Sequence, residues 1–272
     1  MTHPHRQVRP IFQELLLILC ALLAIAPFAY LLVGSVRDES DLSFSWDNYR
    51  RILRTPLASW MMNSLLLAST QTVLVILTSS LAGFALAKYQ FKGRVVIAGA
   101  LAIAVLVPSQ VLFPGMYAEV RRLGLIDSYL GVIAPSLVSV FGIFLFKASF
   151  ETLNDDVLSA ARLDGASEIT IWWCIALPAI RPTIHAFMLM SFLSAWNAFL
   201  WPQIVLQSDS RLTLPLGLVN LQGISDGPGE TGRLLAATVI GILPCAVLFI
   251  LLERDTAAGL MIEDGSEAPA RM

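Results

Sequence analysis

Asn154-Asp155-Asp156-Val157-Leu158-Ser159-Ala160-Ala161-Arg162-Leu163-Asp164-Gly165-Ala166-Ser167-Glu168, running on through Ile169 to Pro182, is the polar interruption around which an otherwise apolar chain is arranged. It reads as a short helix, a glycine break and a second helix. Asn154 or Asp155 can cap the first N-terminus by accepting from backbone N–H groups that lack an intrahelical partner, and Ser167 can cap the second. Gly165 supplies the left-handed residue that ends the first helix. Leu158, Ala160 and Ala161 make a narrow small-residue face between charged flanks, suited to close approach to a groove on another protein.

Of 272 residues, 56% are hydrophobic and 14% charged, a membrane composition that a soluble core could not hide. The formal charge of −2, with no dense basic block, argues against nucleic acid as a partner. Cys20, Cys174 and Cys245 are far apart and lack CxxC spacing, so packing accounts for them. Arg6 and Arg9 before an apolar run, with Ala24-Ile25-Ala26, imitate a signal peptide, but Pro27 should block cleavage and the run continues to Val36.

Six segments reach spanning length: about Leu15 to Val36, Asn63 to Ala87, Val95 to Tyr117, Leu130 to Phe146, Thr183 to Leu206 and Leu234 to Leu252. The expected fold is therefore all-α, a polytopic membrane protein of six transmembrane helices with a helical polar loop at 154–182. The organisation is an N-terminal segment 1–14, a first span 15–36, an external loop 37–62, a core 63–254 and a tail 255–272. An even number of spans puts both ends on one side. Lys88, Lys92 and Lys147 share that side with Arg6, Arg9 and the Ser159 loop, so the positive-inside rule makes it cytoplasmic. Arginine dilutes the bias, since Arg50, Arg51, Arg54, Arg121 and Arg122 lie opposite. In the third segment Ala98, Gly99, Ala100, Ala102 and Ala104 suit close helix packing.

Ser159-Ala160-Ala161 with Asp164-Gly165, followed by Leu177-Pro178, resembles the "EAA…G…LP" loop of carbohydrate-type, maltose-importer-like, binding-protein-dependent ABC importer permeases. Further stretches agree with that family in order: Asn48-Tyr49-Arg50-Arg51, Asn63-Ser64-Leu65, Ala82-Gly83-Phe84-Ala85-Leu86-Ala87, Leu123-Gly124-Leu125, Trp196 to Pro202 and Thr213 to Leu218. The resemblance implies that Ser159, Ala160, Ala161, Asp164, Gly165, Leu177 and Pro178 belong to a coupling helix that docks on a cytoplasmic ATPase dimer. It implies further partners in a second permease subunit and an extracytoplasmic solute-binding protein, all in the inner membrane, with no cofactor on this chain and ATP bound by the partner. Two departures stand out: Ser159 replaces the usual Glu, and the tail from Asp255 lacks the family's basic, glycine-containing ending. A hydrogen bond to a charged group contributes about 1.5–3 kcal/mol against about 1 for a neutral one.

No catalytic constellation emerges. Gly223-Ile224-Ser225-Asp226-Gly227 and Gly227 to Gly232 match a nucleophile elbow and a dinucleotide fingerprint, but with no preceding strand they are chance matches in a glycine-rich loop. No GxxxxGK[ST] run exists to cradle phosphates. His185, near the cytoplasmic end of the fifth segment, reads as an interfacial histidine. In that segment Ser191, Ser194, Asn197 and Trp201 fall close to one helical face. That face either hydrogen-bonds a neighbouring helix or borders a translocation pathway, with Ser194, Asn197 and Trp201 as its contacts and Pro202 ending or bending the helix beyond them. The stretch from Gln207 to Arg233, rich in glycine and polar groups, is expected as a loop, and the family resemblance implies that it faces the solute-binding protein. The competing class, an ion-coupled secondary transporter, calls for buried Asp, Glu or His within the spans, and none stands near a midplane.

Overall fold

The computed structural model describes residues 11–37, 43–224 and 230–264. Residues 225–229, in the middle of the stretch expected to face the solute-binding protein and of its glycine-rich pattern matches, and the side chains of the 255–272 tail lie outside the described residues. Every regular element described is a helix, and no strand occurs among these residues. In order they are α1 (Ile11–Ser35), α2 (Asp47–Leu53), α3 (Leu57–Lys88), α4 (Arg94–Ala104), α5 (Ser109–Arg122), α6 (Tyr129–Ile133) and α7 (Val140–Glu151). There follow α8 (Asp155–Leu163), α9 (Glu168–Ile171), α10 (Leu177–Ala179), α11 (Arg181–Trp196), α12 (Leu200–Val205), α13 (Leu214–Ile224) and α14 (Glu230–Asp264).

Three helices are long and apolar enough to span a membrane unaided, and six spans result when each bent pair counts as one. The unbroken three are Glu14–Ser35, Leu57–Lys88 and Thr231–Leu252. The 22 residues of the first make about 33 Å of helix, enough for a hydrocarbon core of about 30 Å. The other expected spans are broken. Arg94–Ala104 and Ser109–Arg122 meet at 104°, Tyr129–Ser136 and Val140–Glu151 at 49°, and Glu168–Ala179 and Arg181–Trp196 at 85°. Each break sits beside a proline, namely Pro108, Pro135 and Pro178 with Pro182, where the missing N–H and fixed φ interrupt the helical ladder.

The chain divides into two packing units, residues 1–57 with 218–242 and residues 58–217 with 243–272. In the first, the buried Asn48 amide donates to the carbonyls of Ser35 (3.2 Å) and Arg37 (2.8 Å), which the end of α1 leaves open. The Tyr49 and Ser35 hydroxyls pair at 2.9 Å. A side chain at Gly232 would run into the Asn48 amide, so the start of α14 approaches that junction closely.

The second unit is built on α3. Its core joins Val75, Ile76 and Phe84 to Phe146, Phe150, Leu158, Ile171, Trp172, Ala176, Ile180 and Phe187. Edge-to-face contacts link Phe84 with Phe150 (5.2 Å) and Phe146 with Phe187 (5.1 Å). At the N-terminal half of α3, the Asn63 amide donates to the Ser210 and Leu212 carbonyls and its oxygen accepts from the Tyr129 hydroxyl. The Ser64 hydroxyl accepts from Leu214 N–H at 2.8 Å. Asp127 accepts from the Gln207 and Ser208 N–H groups and from the Ser208 hydroxyl. These bonds, the Ser208 hydroxyl first, hold its carboxyl down to about 2. The 207–233 stretch is thus less of a loop than expected: α13 takes up 214–224, where Gly217 lets the helix lie against the Trp60 ring.

Small residues divide sharply by position. At Gly83 a Cβ would stand 2.9 Å from the Ile143 carbonyl oxygen, the Lys147 nitrogen and the Phe146 Cβ, so α3 and α7 touch backbone to backbone. At Gly99 it would meet nothing within 4 Å, and α4 buries no residue, so the small residues of the third segment do not pack within the chain as expected. Gly83→Ala should lower the midpoint of thermal unfolding in detergent, at a cost of about 1–3 kcal/mol for overpacking. Gly99→Ala should leave it unchanged, and equal effects at the two positions would contradict this account.

Candidate functional site

The polar stretch folds as its local chemistry dictates. The Asn154 side chain accepts from Asp156 N–H at 2.8 Å and caps α8. Gly165 adopts φ 84°, and the Gly165 and Ala166 N–H groups return to the Arg162 and Ala161 carbonyls at 3.0 Å each. That paired ending satisfies the last carbonyls of α8. The Ser167 hydroxyl accepts from Thr170 N–H at 3.2 Å and caps α9. A π-turn over Trp172–Ala176 and the three residues of α10 then lead to the bend at Ile180.

The two faces of α8 do different things. Leu158 is 1% exposed and sits in the chain's own core, against which Ala161 is packed. The face expected to enter a partner's groove therefore anchors the helix instead. Its apolar sequence suited either role, and the packing of α8 against Phe150 and Ile171 of the same core decides which. Ser159, Ala160 and Asp164 are exposed on the other side. With them stand large apolar side chains: Val157 is 54% exposed, Leu163 89%, Ile169 71% and Trp173 56%. Leu177 and Pro178 are half-buried at the corner leading into α11.

Charge ties this segment to the end of α3. The Lys88 ammonium donates to the Leu153 carbonyl at 2.7 Å and pairs with Asp155 at 2.6 Å. Arg162 donates from Nε (2.8 Å) and Nη2 (3.2 Å) to Glu168, whose other contact is the hydroxyl of Tyr89. Arg162 chiefly, and Tyr89 after it, hold the Glu168 carboxyl below the usual carboxylate range. Burial, and then Glu168, push the Tyr89 phenol up.

A second feature lies among α3, α7 and α11. A cleft of about 250 Å³ is lined by Gln71, Val75, Ser136, Ser139, Phe141, Phe187, Met190, Ser191 and Ser194. Ser191 and Ser194 both line this cleft, but the continuous face expected along the segment does not exist. α11 stops at Trp196, Asn197 is its exposed C-cap with the amide turned back to the Leu193 carbonyl (2.8 Å), and α12 starts only at Leu200. Trp201 is buried in α12, with Nε1 donating to the Gly131 carbonyl (3.3 Å) and its ring against Phe113. Its ring is therefore not presented to the cleft. Nor does Pro202 end the helix, since it lies buried inside α12. Gln71, Ser136, Ser139 and Phe141 were missed because they come from other elements. A larger cleft, about 520 Å³, is almost wholly apolar, with Ser69 and Thr72 as its polar side chains. Among the described residues no cluster of His, Cys, Asp and Glu is placed to hold a metal ion.

Residues 75–254 match the family model described as the inner membrane component of binding-protein-dependent transport systems. The arabinooligosaccharides transport system permease protein AraQ of Bacillus subtilis (strain 168) is 34% identical, over 95% of this chain and 96% of that relative. The lactose transport system permease protein LacG of Rhizobium radiobacter is 28% identical over 96% and 98%. The sn-glycerol-3-phosphate transport system permease protein UgpE of Yersinia pestis is 28% identical over 94% and 98%. A chain in the crystal structure of a bacterial ABC transporter that imports the acidic polysaccharide alginate has the same fold, with TM-score 0.83 at 20% identity, covering 93% of this chain and 99% of that one.

Gly165 isolates backbone strain from sterics, because a Cβ there would meet nothing within 4 Å. Gly165→Val should cost about 1–2 kcal/mol for the left-handed residue and open the 164–167 turn to limited proteolysis. Gly165→Asn should be cleaved much more slowly than the valine variant, and identical cleavage of the two would rule out the conformational explanation.

Proposed function

The chain belongs to the family of binding-protein-dependent transport system inner membrane components and is a permease subunit of an ABC importer, and from that premise we propose where it is driven and what it carries. The outward face of α8 and α9 docks on a cytoplasmic ATPase dimer. The supporting observation is the exposure of Val157, Leu163, Ile169 and Trp173 on a segment whose opposite side is locked into the core. Ser159, Ala160 and Asp164 complete the contact, while Ala161, Gly165, Leu177 and Pro178 hold its shape. ATP-driven closure of the motor displaces α8. The corner at Ile180 hands that displacement to α11, which lines the cleft, and the membrane domain shifts between two states.

The cargo is a sugar or sugar-like solute. Ser136, Ser139, Ser191, Ser194 and the Gln71 amide offer donors and acceptors for hydroxyl groups, and Phe141 offers a ring face. The relatives' own cargoes, arabinooligosaccharides, lactose and sn-glycerol-3-phosphate by their names, support the same class. Ser194 borders the path directly, Asn197 sits at the adjoining helix end, and Trp201 backs the path through Gly131 rather than touching cargo. A second permease subunit completes the pore, and the open small-residue surface of α4 supports such a neighbour. An extracytoplasmic binding protein delivers the solute, and both termini are cytoplasmic.

Docking is tested by Leu163→Asp combined with Ile169→Asp. The variant should fold and elute like the unmodified chain but lose co-purification with the ATPase, and undiminished association would refute the docking face.

The pathway has a separate test. Ser194→Leu should keep the ATPase bound while solute uptake into vesicles falls about tenfold or more, a change of ~1.4 kcal/mol; normal uptake removes Ser194 from the path.

A further inference from the structure

The covalent path from α8 runs forward through Leu177 and Pro178 into α11, yet the strongest polar contacts of the segment run backward to α3. Lys88, the last residue of α3, has a side chain only 6% exposed, and its ammonium holds the entry to α8 through the Leu153 carbonyl and Asp155. The next residue, Tyr89, bonds Glu168, the first residue of α9, and Glu168 in turn accepts both Arg162 contacts from the last turn of α8. The Tyr89 ring is fixed edge-on to Phe84 at 5.9 Å, and Phe84 to Phe150 at 5.2 Å. Two consecutive residues therefore hold both ends of one nine-residue helix. A helix held at a single point can pivot about it. One held at both ends cannot tilt unless the holder moves too.

Further along α3, Gln71 and Val75 line the polar cleft. Gln71 and Lys88 stand 17 positions apart, about 25 Å of unbroken helix, a rigid element between the two sites.

We propose that Lys88 and Tyr89 are positioning residues forming a two-point grip, through which displacement of α8 moves α3 and so the Gln71 wall of the cleft, in parallel with the route through α11. This rests on the reading of α8 as the ATPase-docked helix. An isolated surface ion pair contributes little, but charge-assisted bonds with a buried ammonium, arranged in series with a rigid helix, can carry coupling.

The test uses the complex with its ATPase and second membrane subunit, on a background with Cys20, Cys174 and Cys245 replaced by Ala and with Gln71→Cys as a reporter. The rate of maleimide alkylation at position 71 is measured with and without ATP and vanadate. In the unmodified grip, nucleotide should change that rate. Tyr89→Phe combined with Lys88→Gln should retain the ATPase and its basal hydrolysis while shrinking the nucleotide-dependent change about threefold or more. Lys88→Arg, which preserves the pairing with Asp155, should keep most of the response, and Lys88→Glu with Asp155→Lys should recover more of it than Lys88→Glu alone. Tyr89→Phe by itself leaves the ring packing intact and decides the matter if the double variant does not fold. An undiminished response in an assembled Tyr89→Phe complex overturns the grip and leaves docking intact. Loss of the ATPase from the unmodified chain overturns docking, and the grip with it.

Discussion

In a hydrocarbon environment every backbone N–H and C=O released by a break in a helix must find a partner inside the protein, since water is not there to provide one. That requirement organises this chain. Three helix pairs are sharply bent, and helix α3 lies beside one of these openings, at 137–139. Thr78 bonds the Leu137 carbonyl, and Ser79 both donates to the Ser139 carbonyl and accepts from Ser139 N–H, which repairs the gap before α7. Asn63 and Ser64 do the same for the 210–214 turn, and Lys88 for the Leu153 carbonyl. The polar residues scattered along an otherwise apolar helix are thus a row of partners for irregular backbone elsewhere. Because one unbroken helix services these three places, they share its position.

How much of this was legible in the sequence depends on the range of the interaction. Caps and the left-handed residue act over two to five positions, so Asn154, Gly165 and Ser167 could be read directly and stand where expected. The bends could not be read in the same way. Hydropathy records whether a residue prefers lipid, not which way the chain points, so Val95 to Tyr117 looked like one span although it turns through 104°. The prolines were the available signal, but a proline inside a span produces anything from no break to a right angle, as Pro27 within α1 and Pro108 at a bend illustrate. Trp201 was misplaced for a related reason: counting positions along one helix presumes that the helix continues, and Asn197-Ala198-Phe199 interrupt it. The facing of α8 was beyond local reasoning, since nine residues carrying apolar groups on both sides have no preferred inner face until a core is present.

The arrangement also explains how a small loop bears a load. Leu158 and Ala161 fix one side of α8 in an aromatic core, Lys88 and the Arg162–Glu168–Tyr89 cluster fix its ends, and what remains exposed is the face proposed to meet the motor. Close packing makes such a unit move as a body instead of deforming.

The neutral Ser159 in place of a carboxylate fits that surface on energetic grounds. Exchanging a charge-assisted hydrogen bond for a neutral one gives up about 0.5–2 kcal/mol. Fully burying one leucine-sized side chain recovers about 1.5–3 kcal/mol. Leu163, at 89% exposed, and Ile169, at 71%, both stand free to be covered. Covering either is enough to offset the lost charge, and an apolar contact of this kind is insensitive to ionic strength, unlike the ion pair it replaces. On the docking proposed above, the partner surface should therefore present an apolar pocket where a carboxylate-bearing loop would require a basic residue, and specificity for the motor would come from shape more than from charge.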